Sequence, residues 1–116
     1  MNKYRAKKTT IDGITFDSKK EADYYCELRM RRCAGEINDF DLQVVYELQP
    51  SFKSQGKTIR AIKYIADFVI QHRDGSEEIV DVKGMRTETY KVKKKLFQYK
   101  YPNVKFTEVE RRMRYE

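Results

Sequence analysis

Two aspartates and a lysine carry the chemical potential of this 116-residue chain. Asp67 interrupts the apolar run Ile65-Ala66-Phe68-Val69-Ile70, and Asp81 sits between Val80 and Val82 with Lys83 two residues on. Both acids lie in segments rich in β-forming residues, and the sequence between them contains the turn signal Asp74-Gly75. A charge inside a buried strand is costly unless it is paired or binds a metal. Mg²⁺ takes oxygen ligands, often one or two carboxylates together with waters and substrate phosphates. A metal so held can activate water and stabilise charge on a phosphate. Lys83 could orient the nucleophile or neutralise developing negative charge. The plain structural alternative is an Asp81–Lys83 ion pair at a strand end, with Asp67 hydrogen-bonded nearby.

Convergence of the acids depends on the turn. Directly opposed residues of an antiparallel hairpin point to the same face. A three-residue loop, Arg73-Asp74-Gly75, would set Asp67 opposite Asp81, whereas a two-residue Asp74-Gly75 turn would set it opposite Val82 and separate the acids. A shared site therefore requires the odd loop or a bulge.

The elements around this hairpin follow from pattern. Residues 1–10 are basic, without apolar periodicity, and are expected to form a flexible arm. Ile14-Thr15-Phe16 is strand-like after an Asp12-Gly13 turn. Ser18 and Glu21 match a capping box opening a helix that ends near Gly35. Ala22, Tyr25, Cys26, Met30 and Cys33 form its expected buried stripe, with Arg29 among them. A capping role alone accounts for Glu21; its functional alternative is a third carboxylate aimed at the hairpin. Leu42 to Leu48 reads as a strand, Pro50 to Thr58 as a loop, and Ile59 to Gln71 as a long strand carrying Arg60 and Lys63. Thr87 or Thr89 caps a second helix running to about Tyr101, with apolar lines Val92/Leu96/Tyr99 and Tyr90/Phe97/Tyr101. Lys91, Lys93, Lys94, Lys95 and Lys100 make this helix basic. Val104 to Val109 alternates as a last strand. The order α-β-β-β-α-β gives an α/β sandwich: a mixed β-sheet flanked by helices, one domain over residues 1–116.

Composition narrows the partners. The chain has 25 Lys and Arg against 18 Asp and Glu, a net charge of +7, which favours an anionic partner, nucleic acid first. Cys26 and Cys33 form no metal-ligand spacing, and His72 is the single histidine, so a zinc site is not expected. Buried thiols and the lack of a signal or membrane span fit a cytoplasmic location.

With Asp67, Asp81-Val82-Lys83 and Glu21 in these elements, the chain resembles the PD-(D/E)xK nuclease superfamily, whose core is αβββαβ. The segments Ser-Lys-Lys-Glu, Tyr-Ile-Ala-Asp-Phe and Val-Asp-Val-Lys-Gly resemble a family of small phage proteins within it. The resemblance spans about Phe16 to Val109. It departs in having Ala66 where the motif's proline would stand, and Asp81 rather than glutamate. It implies a restriction-endonuclease-like fold and a metal-dependent DNA endonuclease in which Glu21, Asp67 and Asp81 hold Mg²⁺ or Mn²⁺ and Lys83 assists. It also makes Lys93 or Lys95 candidates for substrate contact; Arg60 and Lys63, on the long strand, are usable for DNA backbone contacts and equally ordinary as solvated charge. Similarity to junction resolvases implies branched DNA, a homodimer, and work inside a phage-infected or lysogenic bacterial host. Two other functions stand as alternatives: a catalytically silent nucleic-acid-binding module on the same fold, which would also explain the charge, and a phage accessory or assembly protein, which should show no salt-dependent DNA binding.

Overall fold

The computed structural model describes residues 8–82 and 86–109. The chain runs β1 (Thr9–Ile11), β2 (Ile14–Phe16), α1 (Lys19–Cys33), β3 (Asp39–Gln49), β4 (Phe52–Ser54), β5 (Lys57–Ile59), β6 (Ile62–Gln71), β7 (Glu77–Val82), α2 (Glu88–Lys100) and β8 (Lys105–Val109). The central sheet has the order β3-β6-β7-β8, antiparallel except for the parallel β7–β8 pair. Helix α2 makes the crossover that a parallel pair requires. The α1-β3-β6-β7-α2-β8 core is thus the expected mixed α/β arrangement, and β1–β2 and β4–β5 are two small added hairpins.

Local chemistry sets the helix ends. Ser18 Oγ accepts the Glu21 amide at 3.1 Å, satisfying one orphan donor at the start of α1. Gly35 stops the helix at φ +78°, with Gly35 N donating to Arg32 O and Glu36 N to Arg31 O. Thr87 Oγ1 accepts the Tyr90 amide at 3.1 Å and opens α2.

Two cores form, one on each side of the sheet. Phe16, Ala22, Tyr25, Leu28, Phe40, Phe68, Ile70, Val80 and Val82 pack on the α1 side. Tyr64, Ala66, Val69, Ile79, Tyr90 and Phe97 pack on the α2 side. Phe97 is fully buried, and its ring centroid lies 4.8–5.7 Å from those of Tyr46, Tyr64, Tyr101 and Phe106.

Several expectations need correction. Thr9 and Thr10 belong to β1 rather than to a flexible arm, and residues 1–7 of that expected arm lie outside the described residues. Residues 50–58 are not a plain loop: Phe52–Ser54 and Lys57–Ile59 pair as a hairpin, and the long strand begins at Ile62. The buried residues of α1 are Glu21, Ala22, Tyr25 and Leu28, while Cys26 is half-buried and Cys33 and Met30 are exposed. The true stripe lies about one residue's rotation from the one expected, because Leu28 and not Met30 meets the sheet. Arg29 turns to Asp12 at 3.0 Å and stacks over the Tyr25 ring. On α2, Val92, Leu96 and Tyr99 are exposed, and Tyr90 with Phe97 is the buried line. Among the described residues no helix is long and apolar enough to cross a membrane.

Candidate active site

The β6–β7 turn is the three-residue alternative. His72 N donates to Ser76 O at 2.9 Å and Gly75 N to His72 O at 3.0 Å, closing Arg73-Asp74-Gly75 with Gly75 at φ +91°. Asp74 Oδ1 accepts both the amide and the hydroxyl of Ser76, which fixes the loop. The ladder then runs Gln71↔Glu77, Ile70↔Glu78, Val69↔Ile79 and Phe68↔Val80. The pairing stops at Phe68↔Val80, one step short of Asp67 and Asp81.

At that step the ladder parts. In a continued antiparallel ladder Val82 N would donate to the Ala66 carbonyl. Instead it donates to Asp67 Oδ2 at 2.8 Å. The partner strand changes at the same level. Between Asp39↔Gln71 and Glu47↔Lys63 every register pair is formed except Gln43 with Asp67, and Gln43 has φ +52°. Side-chain facing inverts there. Phe40 and Leu42 pack on the α1 side, but Val44, Tyr46 and Leu48 on the α2 side. Ala66 and Phe68 divide in the same way. Asp67 therefore stands where β6 turns over, and a left-handed residue in β3 absorbs the change.

Asp81 is 0% exposed. Tyr64 donates its hydroxyl to Asp81 Oδ2 at 2.5 Å. Burial, and after it the hydrogen bond to Asp81 and that residue's charge, push the Tyr64 phenol far above its ordinary value. Tyr64 is therefore a donor throughout the physiological range. Asp67 also raises the Tyr64 value through its charge, so both acids act on one phenol.

A second polar group joins α2 to β8. Glu108 receives Tyr90 Oη at 2.6 Å, Lys94 Nζ at 3.2 Å and Arg86 Nη2 at 3.1 Å. Burial opposes ionisation of Glu108, but hydrogen bonds from Tyr90, Arg86 and Lys94 outweigh it and hold the carboxyl at about 2. Tyr90 is raised by burial first, then by its bond to Glu108 and by the charge of Asp81. Because the folded value of Glu108 lies below that of an unfolded carboxylate, its stabilisation is present above about pH 4.5 and fades as pH falls towards 2. Glu108→Gln is expected to cost about 1–2 kcal/mol at neutral pH after allowance for solvent screening. Urea titrations of both proteins should converge as pH falls through this window.

The other expected site residues divide. Glu21 is 8% exposed, within the stripe that α1 turns to the sheet. Among the described residues no three His, Cys, Asp or Glu side chains gather into a metal-binding group. Asp67 bonds the amide next to Asp81, and both acids act on the Tyr64 phenol. Lys83 lies outside the described residues, as do the basic residues of 1–7 and 110–116. Lys93 is half-buried and Lys95 exposed, and the lysine of α2 that reaches the polar group is Lys94. Arg60 and Lys63 are exposed, away from the acids along the chain. Sequence reasoning did not single out Tyr64, Tyr90, Glu108 or Arg86. Tyr64 meets Asp81 diagonally across the sheet, a contact that alternation within one strand does not display.

Carboxylates such as those of Asp67 and Asp81 are hard oxygen donors, the kind that suits a cation of the Mg²⁺ type, which completes its shell with waters and phosphate oxygens. The set does not resemble a zinc site, which would call for nitrogen or sulfur ligands. Comparison with known proteins adds a family without an assigned activity. No curated protein and no solved structure matches the chain. A family model described as "Protein of unknown function (DUF1064)" matches residues 1–116, and the chain belongs to that family.

Proposed function

We propose that this protein is a metal-dependent DNA endonuclease of the PD-(D/E)xK type that hydrolyses phosphodiester bonds. One observation carries the proposal: Asp67 accepts the amide of Val82, the residue after the fully buried Asp81, and the charges of both acids act on Tyr64, in an α-β-β-β-α-β core. Burying an acid beside a second acid disfavours folding unless the charges are compensated. A cation offsets that cost, and the same cation is useful for phosphate chemistry.

Asp67 and Asp81 would hold Mg²⁺ or Mn²⁺, with Glu21 placed on α1 as a further water-positioning carboxylate. A metal held there would supply Lewis acidity at the scissile phosphate and lower the pKa of the attacking water. A P–O bond forms from water, one ester P–O bond breaks, and the departing oxygen takes up a proton. Lys83 would neutralise charge in that transition state. Tyr64 is a positioning residue, because its hydroxyl fixes the Asp81 carboxylate. No covalent enzyme intermediate is required. Branched DNA as substrate would call for two copies of the chain, one for each strand cut.

A second reading has its own support. Tyr64 and Val82 already engage one oxygen of Asp81 and of Asp67, which suits acids that are structural in a nucleic-acid-binding module. Cleavage of linear, single-stranded and four-way-junction DNA with Mg²⁺, Mn²⁺ or EDTA separates the two. A nuclease cuts at least one substrate only with metal; a binding module cuts none.

Tyr64→Phe sharpens the distinction. Partners one shell out from a metal typically contribute about 10–100-fold to affinity or activity. The variant should lose cleavage to that extent and recover part of it at high metal concentration. Its unfolding free energy should fall by about 1–3 kcal/mol, because the buried carboxylate loses a donor.

A further inference from the structure

The β4–β5 hairpin is built unlike the rest of the molecule. Residues 50–63 contain Lys53, Lys57, Arg60 and Lys63 and no acid. Every residue from 50 to 60 is exposed. The pairing is Phe52↔Ile59, Lys53↔Thr58 and Ser54↔Lys57, and Gln55 and Gly56 close it at φ +50° and +78°. Two consecutive positive φ values make a two-residue turn whose twist matches that of the strands, so the ribbon is geometrically regular. A solitary two-stranded ribbon is marginal in water, and this one buries neither face. Phe52 and Ile59, directly opposed, are 47% and 39% exposed. Alternation puts Lys57 on their face and Lys53 on the other.

We infer that this ribbon is a duplex-DNA-binding arm that lies in the major groove, with Lys53, Lys57 and Arg60 on the flanking phosphates and Phe52 and Ile59 against base edges. The inference deepens the proposed function and rests on nucleic acid being the partner. Charge complementarity selects the occupant: four cations without an anion suit a polyphosphate. Shape selects the kind of helix. The B-form major groove, about 12 Å wide, admits a two-stranded ribbon, whereas the deep, narrow major groove of A-form RNA does not. Continuity with the site supports it too. β6 leads from Ile62 to Asp67, about 17 Å by strand rise, roughly half a turn of duplex, so one DNA molecule can span arm and acids.

The test is binding of a fluorescently labelled linear duplex, in EDTA so that no cutting contributes, across a salt series. The triple variant Lys53→Ala/Lys57→Ala/Arg60→Ala changes only exposed side chains. Its affinity should fall about a hundredfold near physiological salt, and the slope of log affinity against log salt should flatten by about one per cation engaged. Phe52→Ala should weaken binding while leaving that slope unchanged. Wild-type affinity and slope in the triple variant overturn the inference, as does preference for double-stranded RNA or a single strand over duplex DNA. Dissolution of a wild-type dimer by Phe52→Asp with DNA binding unchanged would assign the ribbon to self-association and also overturn it. Ribbon-dependent duplex binding without metal-dependent cutting sustains the arm and sinks the nuclease. Metal-dependent cutting with ribbon-independent binding does the reverse.

Discussion

Asp81→Asn should remove metal-dependent cleavage by more than about a hundredfold and leave duplex binding as strong as in the wild type. Loss of an outer partner alone costs about 10–100-fold at metal sites, so loss of a ligand charge sets a floor near the upper end of that range. The amide keeps the side chain's shape and leaves an oxygen to accept the Tyr64 hydroxyl, which spares the 2.5 Å contact of the native protein. It removes one of two like charges that act on the Tyr64 phenol. Melting temperature should hold or rise, as expected where a site is retained for chemistry at the expense of stability. DNA affinity should hold or rise too, because a negative charge near the phosphates is gone. Thermal melts and binding in EDTA check both points on the protein used for the cleavage assay. A drop in stability of several kcal/mol would mark Asp81 as structural.

Phe97→Ala should lower unfolding free energy by about 3–5 kcal/mol, a large share of the 5–15 kcal/mol typical of a domain. Phe97 is fully buried, and four aromatic rings close around it. Removing it leaves a cavity bordered by rigid rings that cannot readily collapse. One of them is Tyr64, the donor to Asp81, so residual cleavage by the folded variant should fall as well. Val92→Ala is the control on the same helix. Val92 is 54% exposed, and its loss should stay within about 0.5 kcal/mol. Urea unfolding of the two variants measures the difference. Equal effects would place the α2 contact elsewhere.

The contrast between these two residues shows what pattern alone conveys. Both apolar lines of α2 are visible at helical spacing, and Val92, Leu96 and Tyr99 look no less suited to a core than Tyr90 and Phe97. Only the sheet's position decides between them. On α1 the same ambiguity favours Met30 and Cys33 over Leu28. Signals that act within a few residues are clearer. Ser18 and Gly35 bound α1 because a side-chain acceptor and a positive φ are local requirements. Asp74-Gly75 likewise limits the hairpin to two registers, one of which brings the acids together. The inversion at Gln43 is not legible. Its flanking residues Leu42, Val44, Tyr46 and Leu48 alternate without interruption, so a φ of +52° between them leaves no trace in the pattern. The β4–β5 ribbon is hidden for a related reason. Gln-Gly is a weaker hairpin signal than Asn-Gly or Asp-Gly, and a ribbon with no buried face has no inward-facing alternation to display.

The αβββαβ order and the three-residue turn between the acid-bearing strands thus rest on signals readable in the chain. The tyrosines and the Glu108 group depend on contacts across the sheet.

The most direct measurement is cleavage of a four-way junction and a linear duplex by wild type and Asp81→Asn, side by side, with Mg²⁺ and with EDTA. The nuclease account predicts cutting by wild type in Mg²⁺ alone and none by the variant, with both proteins binding the DNA. Equal behaviour of the two proteins, whether both cut or neither does, would contradict it.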